Sequence, residues 1–207
     1  QSSDPIILIS PSDQLISNEK EFHKTVKKGL KEVQKGKIIT FGIKPKNPEE
    51  GYGYLELEEI NSKNVQKLVS FVEKPNKKTA IEMISKGNYL WNSGIFLFKA
   101  KDILNAFKKY APDILDIVQN ALKSSYSDLG FLRISPSIWS ECKNISIDYA
   151  IMEKANNLAV VPFSGGWSDL GGWEAIRQEM KPNKEGVALS SNALEYECTN
   201  TLLRSES

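Results

Sequence analysis

The start of the chain constrains the fold most, because a buried strand, an amphipathic helix and a second buried strand follow one another there. Residues 5–10, PIILIS, form a compact apolar run that Pro11 closes. In residues 18–36 the apolar side chains recur on one helical face, and Gly36 stands where a helix cap is expected. Residues 37–43, KIITFGI, form a second apolar run. Strand, helix and strand in this order are the unit of a parallel sheet, so the sequence predicts an α/β fold.

Strand and helix patterns continue to alternate along most of the chain. Residues 76–87, 100–125 and 144–155 show helical spacing of apolar side chains, and intervening apolar runs predict strands. From Gly186 onward, short apolar runs separated by Ser, Asn and Thr replace the helical period. We therefore predict one domain over residues 1–184 and the start of a C-terminal β-rich, β-helix-like segment over 185–207.

Charge and composition exclude several classes of function. The chain has 27 basic and 26 acidic residues, a formal net charge of +1, so neither a nucleic acid nor a membrane surface is predicted as a partner. The cysteines, Cys142 and Cys198, are too far apart for a CxxC pair or a zinc site. His23 is the only histidine, which gives little support to Ser/His or Cys/His catalysis. With no signal peptide or apolar span, we expect reduced thiols and a cytoplasmic protein.

Two aspartates are candidate ligand-binding residues. Asp13 follows the first predicted strand, in the crevice where such sheets take up ligands, but turns also favour aspartate. Asp169 lies in residues 165–173, GGWSDLGGW, between two tryptophans and four glycines. Capping of the next helix would explain Asp169 equally well. A carboxylate in such an apolar setting requires a partner, since an unpaired buried charge is costly.

The middle of the chain holds three further candidate sites, each with a simpler alternative. Gly53, next to a predicted strand, marks either a tight turn or a backbone that a ligand approaches closely. Glu73 and Lys74 end another predicted strand and form either a surface ion pair or a site for sugar hydroxyls and phosphate. Asn92 lies in an otherwise apolar strand, where it either bonds the backbone at a bulge or faces a ligand.

Five stretches in a fixed order resemble bacterial mannose-1-phosphate guanylyltransferases, a family of sugar nucleotidyltransferases. They are ITFGIKPKNPEEGYGYLEL, FVEKP, YLWNSGIFLFKA, ISIDYAIMEKA and VVPFSGGWSDLGGWEAI. The resemblance implies a Rossmann-like, mostly parallel sheet flanked by helices, of the nucleotide-diphospho-sugar transferase type. It also implies that the phosphate of mannose 1-phosphate attacks the α-phosphorus of GTP and that pyrophosphate leaves, in the biosynthesis of GDP-mannose and polysaccharides. GTP and mannose 1-phosphate are then the expected partners, and homo-oligomerisation is left open.

The same resemblance assigns roles to individual residues. Asp13 and Asp169 match the family's metal ligands and would hold Mg²⁺ or another divalent cation between the phosphates. Lys74 matches a catalytic lysine that also binds the sugar phosphate. By the same resemblance, Glu73 accepts sugar hydroxyls, Asn92 bonds a sugar hydroxyl and Gly53 offers a backbone N–H. Gly94 and Asp148 match further substrate-binding positions of the family, although the residues alone favour a helix N-terminal carboxylate for Asp148.

The chain departs from the family pattern in two places. Asp13 is followed by Gln14, where the family has histidine. The glycine-rich, arginine-bearing loop that opens the family and cradles the GTP phosphates does not occur in these 207 residues. We therefore expect the chain to be a piece of a longer protein and predict no turnover from it alone. Two alternatives stay open: a transferase for another sugar phosphate or base, and a non-catalytic relative that binds sugar nucleotides.

Overall fold

The fold is described by a computed structural model that covers residues 4–59 and 62–205. Within these ranges the chain divides into two compact units. The first comprises the described residues of Gln1–Ser10 together with Lys20–Ser164. The second comprises Pro11–Glu19 together with the described residues of Gly165–Ser207. Each unit is thus assembled from segments that are distant in sequence, which local patterns did not predict.

The strands and helices follow the predicted alternation. The strands are β1 (Ile6–Ile9), β2 (Leu15–Ile16), β3 (Ile38–Ile43), β4 (Tyr54–Leu57), β5 (Gln66–Val72), β6 (Tyr89–Lys99), β7 (Tyr126–Asp128), β8 (Phe131–Arg133), β9 (Leu158–Phe163), β10 (Trp167–Ser168), β11 (Ala188–Leu189) and β12 (Leu202–Leu203). The α-helices are α1 (Glu19–Val33), α2 (Lys77–Lys86), α3 (Ala100–Tyr110), α4 (Pro112–Lys123), α5 (Pro136–Trp139) and α6 (Trp173–Glu179), and a π-helical segment spans Asp148–Met152. Over the described ranges, none of these helices combines the length and apolarity needed to cross a membrane.

The first unit is built around a six-stranded mixed sheet. Its strand order is β1-β6-β3-β9-β5-β4, and β6 also pairs with β4. Within this sheet β3 and β9 pair in parallel, whereas the other pairings are antiparallel. The predicted α/β fold is confirmed, but the sheet is mixed rather than mostly parallel. The strands β1 and β3 do run in the same direction, yet the 11-residue β6 lies between them and pairs with both.

Helix α1 covers one face of this sheet. A Cβ atom added at Gly29 of α1 would lie 3.2 Å from Leu97 and 3.3 Å from Ile39, so helix and sheet are in close contact there. The ring of Phe22, one turn from the start of α1, packs edge-on against Phe163 at 5.8 Å between centroids. The amphipathic pattern predicted for this helix is therefore confirmed by its packing.

A cluster of buried apolar residues lies on the opposite face. Ile38, the neighbour of Ile39, points there because successive side chains of a strand alternate between faces. It packs in a cluster with Ile103 of α3 and with Ile151 and Met152 of the π-helical segment. Helices on both faces of one sheet are the layered arrangement that the sequence predicted.

The region predicted as an amphipathic helix over residues 144–155 takes a different form. The structure has a π-helical segment, Asp148–Met152, in which Ala150 and the two residues after it are buried. A π-helical turn widens the helix, and such turns occur frequently at functional sites. Here Asp148 is the first residue of the π-helical turn, so its carboxylate lies on the same segment as the buried core residues.

The second unit contains two short ribbons. The strands β2 and β10 pair antiparallel, with Trp167 opposite Ile16 and Ser168 opposite Leu15. The strands β11 and β12 pair in parallel, with Ala188 opposite Leu202. The domain boundary between residues 184 and 185 stays a prediction.

Candidate active site

Glu73 directly follows β5 and lies opposite Gly53, which directly precedes β4. Val72 pairs with Tyr54, so the next positions along the ladder bring Glu73 and Gly53 together. A Cβ atom added at Gly53 would lie 2.5 Å from the Oε2 atom of Glu73 and 3.3 Å from the Cβ of Asn92. A Cβ there would force the Glu73 carboxyl to move, so the glycine is explained by a close approach of side chains and not by a positive φ angle.

Asn92 is the centre of a hydrogen-bond network that links four segments. Its Oδ1 accepts from the hydroxyl of Thr40 at 2.7 Å and from the backbone N–H of Gly94 at 3.3 Å. Its Nδ2 donates to Oδ1 of Asp148 at 3.1 Å. Its backbone N–H donates to the carbonyl oxygen of Gly53 at 2.7 Å. The side chain thus bonds the backbone at a strand irregularity, as one interpretation of Asn92 expected, and also contacts the carboxylate of Asp148. Contact of Asn92 with a ligand stays a prediction.

Gly94 has a backbone conformation that favours glycine. Its φ angle is 72°, in the left-handed region, although it lies inside β6. This turn of the backbone aims its N–H at the side chain of Asn92, two residues earlier. Gly94 therefore supports the network through its backbone.

The carboxyl group of Glu73 is held in an environment that disfavours its charge. Its side chain is only 7% exposed. Burial, reinforced by the negative charges of Asp148 and Glu153 and opposed by Lys74, raises the pKa of Glu73 to about 7. Its buried Oε2 has no hydrogen-bond partner among the described residues. A carboxyl group of this kind is a candidate for binding polar ligand groups, because perturbed acids concentrate at functional sites.

Asp148 shares this environment. Burial raises the pKa of Asp148, although its own backbone N–H, the Asn92 amide and the Lys74 ammonium favour the charged form. Two carboxyl groups that repel each other lie beside one ammonium, so this part of the chain combines acceptors for hydroxyl groups with one positive charge.

Lys74 supplies the positive charge of this site. Its φ angle of 47° is unusual for a residue other than glycine, and its N–H donates to the carbonyl oxygen of Tyr52 at 3.2 Å. Because β5 ends at Val72, this bend brings the Nζ of Lys74 to 3.9 Å from Oε1 of Glu73. The lysine side chain is 57% exposed, so its ammonium is open to an incoming anion.

The second unit holds the two predicted metal ligands, Asp13 and Asp169. Asp169 directly follows Ser168, the partner of Leu15, and Asp13 precedes Leu15 by two residues. In an antiparallel ribbon these two chain ends lie side by side, so both aspartates are at the same end of the ribbon. Asp13 is exposed and Asp169 is half-buried.

The loop around Asp169 shows that this residue does not cap the next helix. Gly172 is the N-cap of α6, and the Oδ1 atom of Asp169 accepts from the N–H of Gly171 at 3.1 Å. Asp169 therefore closes a turn before the helix and does not cap it. Gly166 has a φ angle of 74°, and a Cβ there would lie 3.0 Å from Ser17, which explains one of the glycines in this stretch.

Gln14, the departure from the family pattern, has a structural partner in the same ribbon. Its Oε1 accepts from the indole Nε1 of Trp167 at 3.0 Å. This bond ties the segment that carries Asp13 to the segment that carries Asp169. Within residues 4–59 and 62–205, no group of three or more His, Cys, Asp and Glu side chains could hold a metal ion. A cation at these two aspartates would therefore need further oxygen ligands, from water or from a substrate.

Sequence reasoning missed two residues that contact the site. Thr40, fully buried, donates to Asn92, and Glu153 accepts from the backbone N–H of Glu73 at 2.9 Å. Thr40 gave one signal, since it is the only polar side chain in the apolar strand IITFGI. Glu153 gave none, because an exposed glutamate in a helical pattern is ordinary.

The chain thus has a sheet flanked by helices and a polar cluster at a strand end. Comparison with known families identifies the class of protein to which it belongs. A family described as nucleotidyl transferase matches residues 1–185, and the chain belongs to this family. The chain is 40% identical over 202 residues to a mannose-1-phosphate guanylyltransferase of Sinorhizobium fredii (strain NBRC 101917 / NGR234). It is 36% identical over 209 residues to a protein of the same name from Escherichia coli (strain K12).

Solved structures show the same fold. The chain superposes with a TM-score of 0.76 and 26% identity on mannose-1-phosphate geranyltransferase from Thermus thermophilus, over 90% of this chain and 53% of that one. It superposes with a TM-score of 0.73 and 29% identity on mannose-6-phosphate isomerase from Helicobacter pylori, over 81% of this chain and 65% of that one. The two guanylyltransferase matches cover 98% and 99% of this chain but 40% and 44% of the relatives' lengths.

Proposed function

We propose that the complete protein carrying this chain transfers a guanylyl group from GTP to mannose 1-phosphate, giving GDP-mannose and pyrophosphate. The observation that carries this proposal is the cluster of Glu73, Asp148, Asn92 and Lys74, which combines acceptors for hydroxyl groups with one ammonium. Similar clusters of residue types are expected where a sugar phosphate binds. The relatives named above support the choice of mannose and guanine.

Sugar recognition is assigned to the buried acceptors. The Glu73 carboxyl has a buried oxygen without a partner among the described residues, and a sugar hydroxyl that reaches this carboxyl would satisfy it. The Asn92 amide holds Asp148 in place at 3.1 Å, so the second carboxyl is also oriented before the sugar arrives. Such preorganisation lowers the entropy that binding would otherwise cost.

Phosphate binding is assigned to Lys74. In the reaction, an oxygen of the sugar phosphate forms a bond to the α-phosphorus of GTP, and the bond from that phosphorus to the bridging oxygen of pyrophosphate breaks. No proton needs to be removed from the attacking oxygen, because it is already anionic. The exposed ammonium of Lys74 can offset this charge and hold the nucleophile, which is the main task of a protein in phosphoryl transfer.

The cation is assigned to Asp13 and Asp169. Their carboxylates are hard oxygen ligands at one end of one ribbon, and Mg²⁺ commonly takes one or two carboxylates together with phosphate oxygens. When bound there, such a cation would neutralise part of the charge of the triphosphate.

Release of pyrophosphate by the complete protein tests the proposal. The assay supplies Mg²⁺ with each pairing of GTP, ATP or UTP and of mannose 1-phosphate or glucose 1-phosphate. We expect the highest kcat/KM with GTP and mannose 1-phosphate. Lys74→Ala should lower kcat/KM by about 100-fold or more, because it removes a charge close to the reacting phosphate.

Lys78→Ala is the matched control, since Lys78 is also an exposed lysine, four residues further along in α2. It should keep the wild-type kcat/KM. A higher kcat/KM with another nucleotide or sugar phosphate, or equal kinetics in the two lysine variants, would contradict the proposal as stated.

A further inference from the structure

We propose that Thr40 is a positioning residue for the sugar phosphate, because it holds the Asn92 amide in the orientation that presents Nδ2 to Asp148 and to the sugar. This inference rests on the proposed function, since it assigns a residue to the same site. Thr40 lies in β3, and nothing in its local sequence indicates contact with a substrate.

The burial of Thr40 requires that its hydroxyl be hydrogen-bonded. The residue is 0% exposed, and its Oγ1 donates to Oδ1 of Asn92 at 2.7 Å. A buried hydroxyl without an acceptor is costly, so this bond is kept as long as the strand is folded. Residues 38–43 are otherwise apolar, and an aliphatic side chain would serve the core at least as well.

The network admits one orientation of the Asn92 amide. Its Oδ1 faces two donors, the hydroxyl of Thr40 and the N–H of Gly94, while its Nδ2 faces the acceptor Oδ1 of Asp148. A flipped amide would set N–H groups against the N–H of Gly94 and an oxygen against a carboxylate. The threonine hydroxyl could accept from the flipped amide, but its own O–H would then need another acceptor.

This fixed orientation has a consequence for the sugar. One of the two N–H bonds on Nδ2 goes to Asp148, so the second can be offered to a sugar hydroxyl. Without the hydroxyl of Thr40, only the N–H of Gly94 and the carboxylate of Asp148 still favour this orientation, so the amide populates the flipped state more often. The site would then present an acceptor where the sugar needs a donor.

Thr40→Val tests the inference, because valine has nearly the shape of threonine without the hydroxyl. In the complete protein we expect KM for mannose 1-phosphate to rise roughly tenfold, the loss typical of one oriented hydrogen bond, with KM for GTP unchanged. Thr40→Ser restores the hydroxyl and should keep both KM values within about twofold of wild type. Thr40→Ala provides the same comparison if valine disturbs the core.

A second measurement does not depend on activity. The carboxyl carbon of Asp148, followed by ¹³C NMR against pH, should titrate at higher pH in Thr40→Val than in wild type, since the bond from Asn92 lowers the pKa of Asp148. Glu73, Lys74 and Ser146 also act on Asp148 and are the same in every variant. Thr40→Ser should titrate like wild type.

The outcomes separate the inference from the proposed function. No turnover by the wild-type protein would refute the function, whereas the titration of Asp148 would still show whether Thr40 orients the amide. Unchanged KM for mannose 1-phosphate and unchanged titration in Thr40→Val would overturn the inference. An equal rise in KM for both substrates, with no change in the titration, would show a structural role only and would also overturn it.

Discussion

Replacement of Glu73 by glutamine should stabilise the protein at neutral and alkaline pH. Burial and the neighbouring carboxylates raise the pKa of Glu73 from 4.5 to about 7. Below pH 4.5 the carboxyl is neutral in both the folded and the unfolded chain, and its stability contribution is fully present. As the pH rises towards about 7, Glu73 ionises in the unfolded chain before it ionises in the folded protein. The folded state therefore loses this contribution to stability as the pH passes through about 7. Glutamine cannot ionise, so the variant escapes the loss.

The magnitude follows from the size of the pKa change. A rise from 4.5 to about 7, at about 1.4 kcal/mol per pH unit, corresponds to about 3 kcal/mol of unfolding free energy. Little screening by solvent is expected, because the side chain is only 7% exposed. The loss should be complete at about pH 8.5 and nearly absent at about pH 4.

Urea unfolding of wild type and Glu73→Gln across this pH range measures the effect. The difference in unfolding free energy, variant minus wild type, should increase by up to about 3 kcal/mol between about pH 4 and about pH 8.5. Binding of mannose 1-phosphate should weaken in the same variant, because the amide replaces an acceptor oxygen by a donor. A gain in stability with a loss of binding is the trade-off expected when a functional site is held in an unfavourable state.

Glu56→Gln is a control of opposite sign. Glu56 accepts from the hydroxyl of Ser70 at 2.7 Å, and this bond lowers the pKa of Glu56. The charged Glu56 carboxylate therefore stabilises the fold at pH values above its pKa in the unfolded chain, and this contribution is lost as the pH falls. Glu56→Gln should consequently be less stable than wild type above about pH 5. If the difference between Glu73→Gln and wild type were constant with pH, the account of Glu73 as a buried, charge-disfavoured carboxyl would be refuted.

Three further predictions follow from contacts in the two units. Gly53→Ala should destabilise the protein by about 1–3 kcal/mol and abolish binding of mannose 1-phosphate, because the new Cβ would meet Glu73. Urea unfolding measures the stability and calorimetric titration measures the binding, and wild-type values in both would contradict the packing. Gly166→Ala should cost about 1–3 kcal/mol, since φ is 74° and Ser17 is close; a thermal midpoint equal to wild type would count against this. Asp169→Asn should lower pyrophosphate release at least about 100-fold with the fold unchanged by circular dichroism, and retained turnover would exclude Asp169 as a required cation ligand.

Local signals predicted most of the individual elements. The helix α2 begins and ends where the sequence indicates: Asn76 caps it by accepting from the N–H of Thr79 at 3.0 Å, and Gly87 ends it with a φ angle of 76°. The helical stretch 100–125 divides at Ala111, directly before Pro112, because proline is tolerated at the start of a helix but not in its interior. These features depend on residues a few positions apart, which is why sequence alone is sufficient for them.

Pairing of distant strands was not accessible in the same way. The apolar runs of β1 and β3 predicted two strands in the same direction, and this is confirmed, but nothing in either run indicated that β6 lies between them. The order of strands in a sheet depends on which distant segments pair best along each strand edge. The periodicity of a single segment does not indicate its partners.

The sequence by itself determined the kind of elements, the family resemblance and the residue types of the candidate site. Only the tertiary structure brought Glu73, Asn92 and Asp148 into one cluster, added Thr40 to it and shifted the pKa of Glu73. The physical reason is that a side chain's chemistry is local, whereas its burial, its hydrogen-bond partners and the charges around it come from segments that meet only when the chain folds.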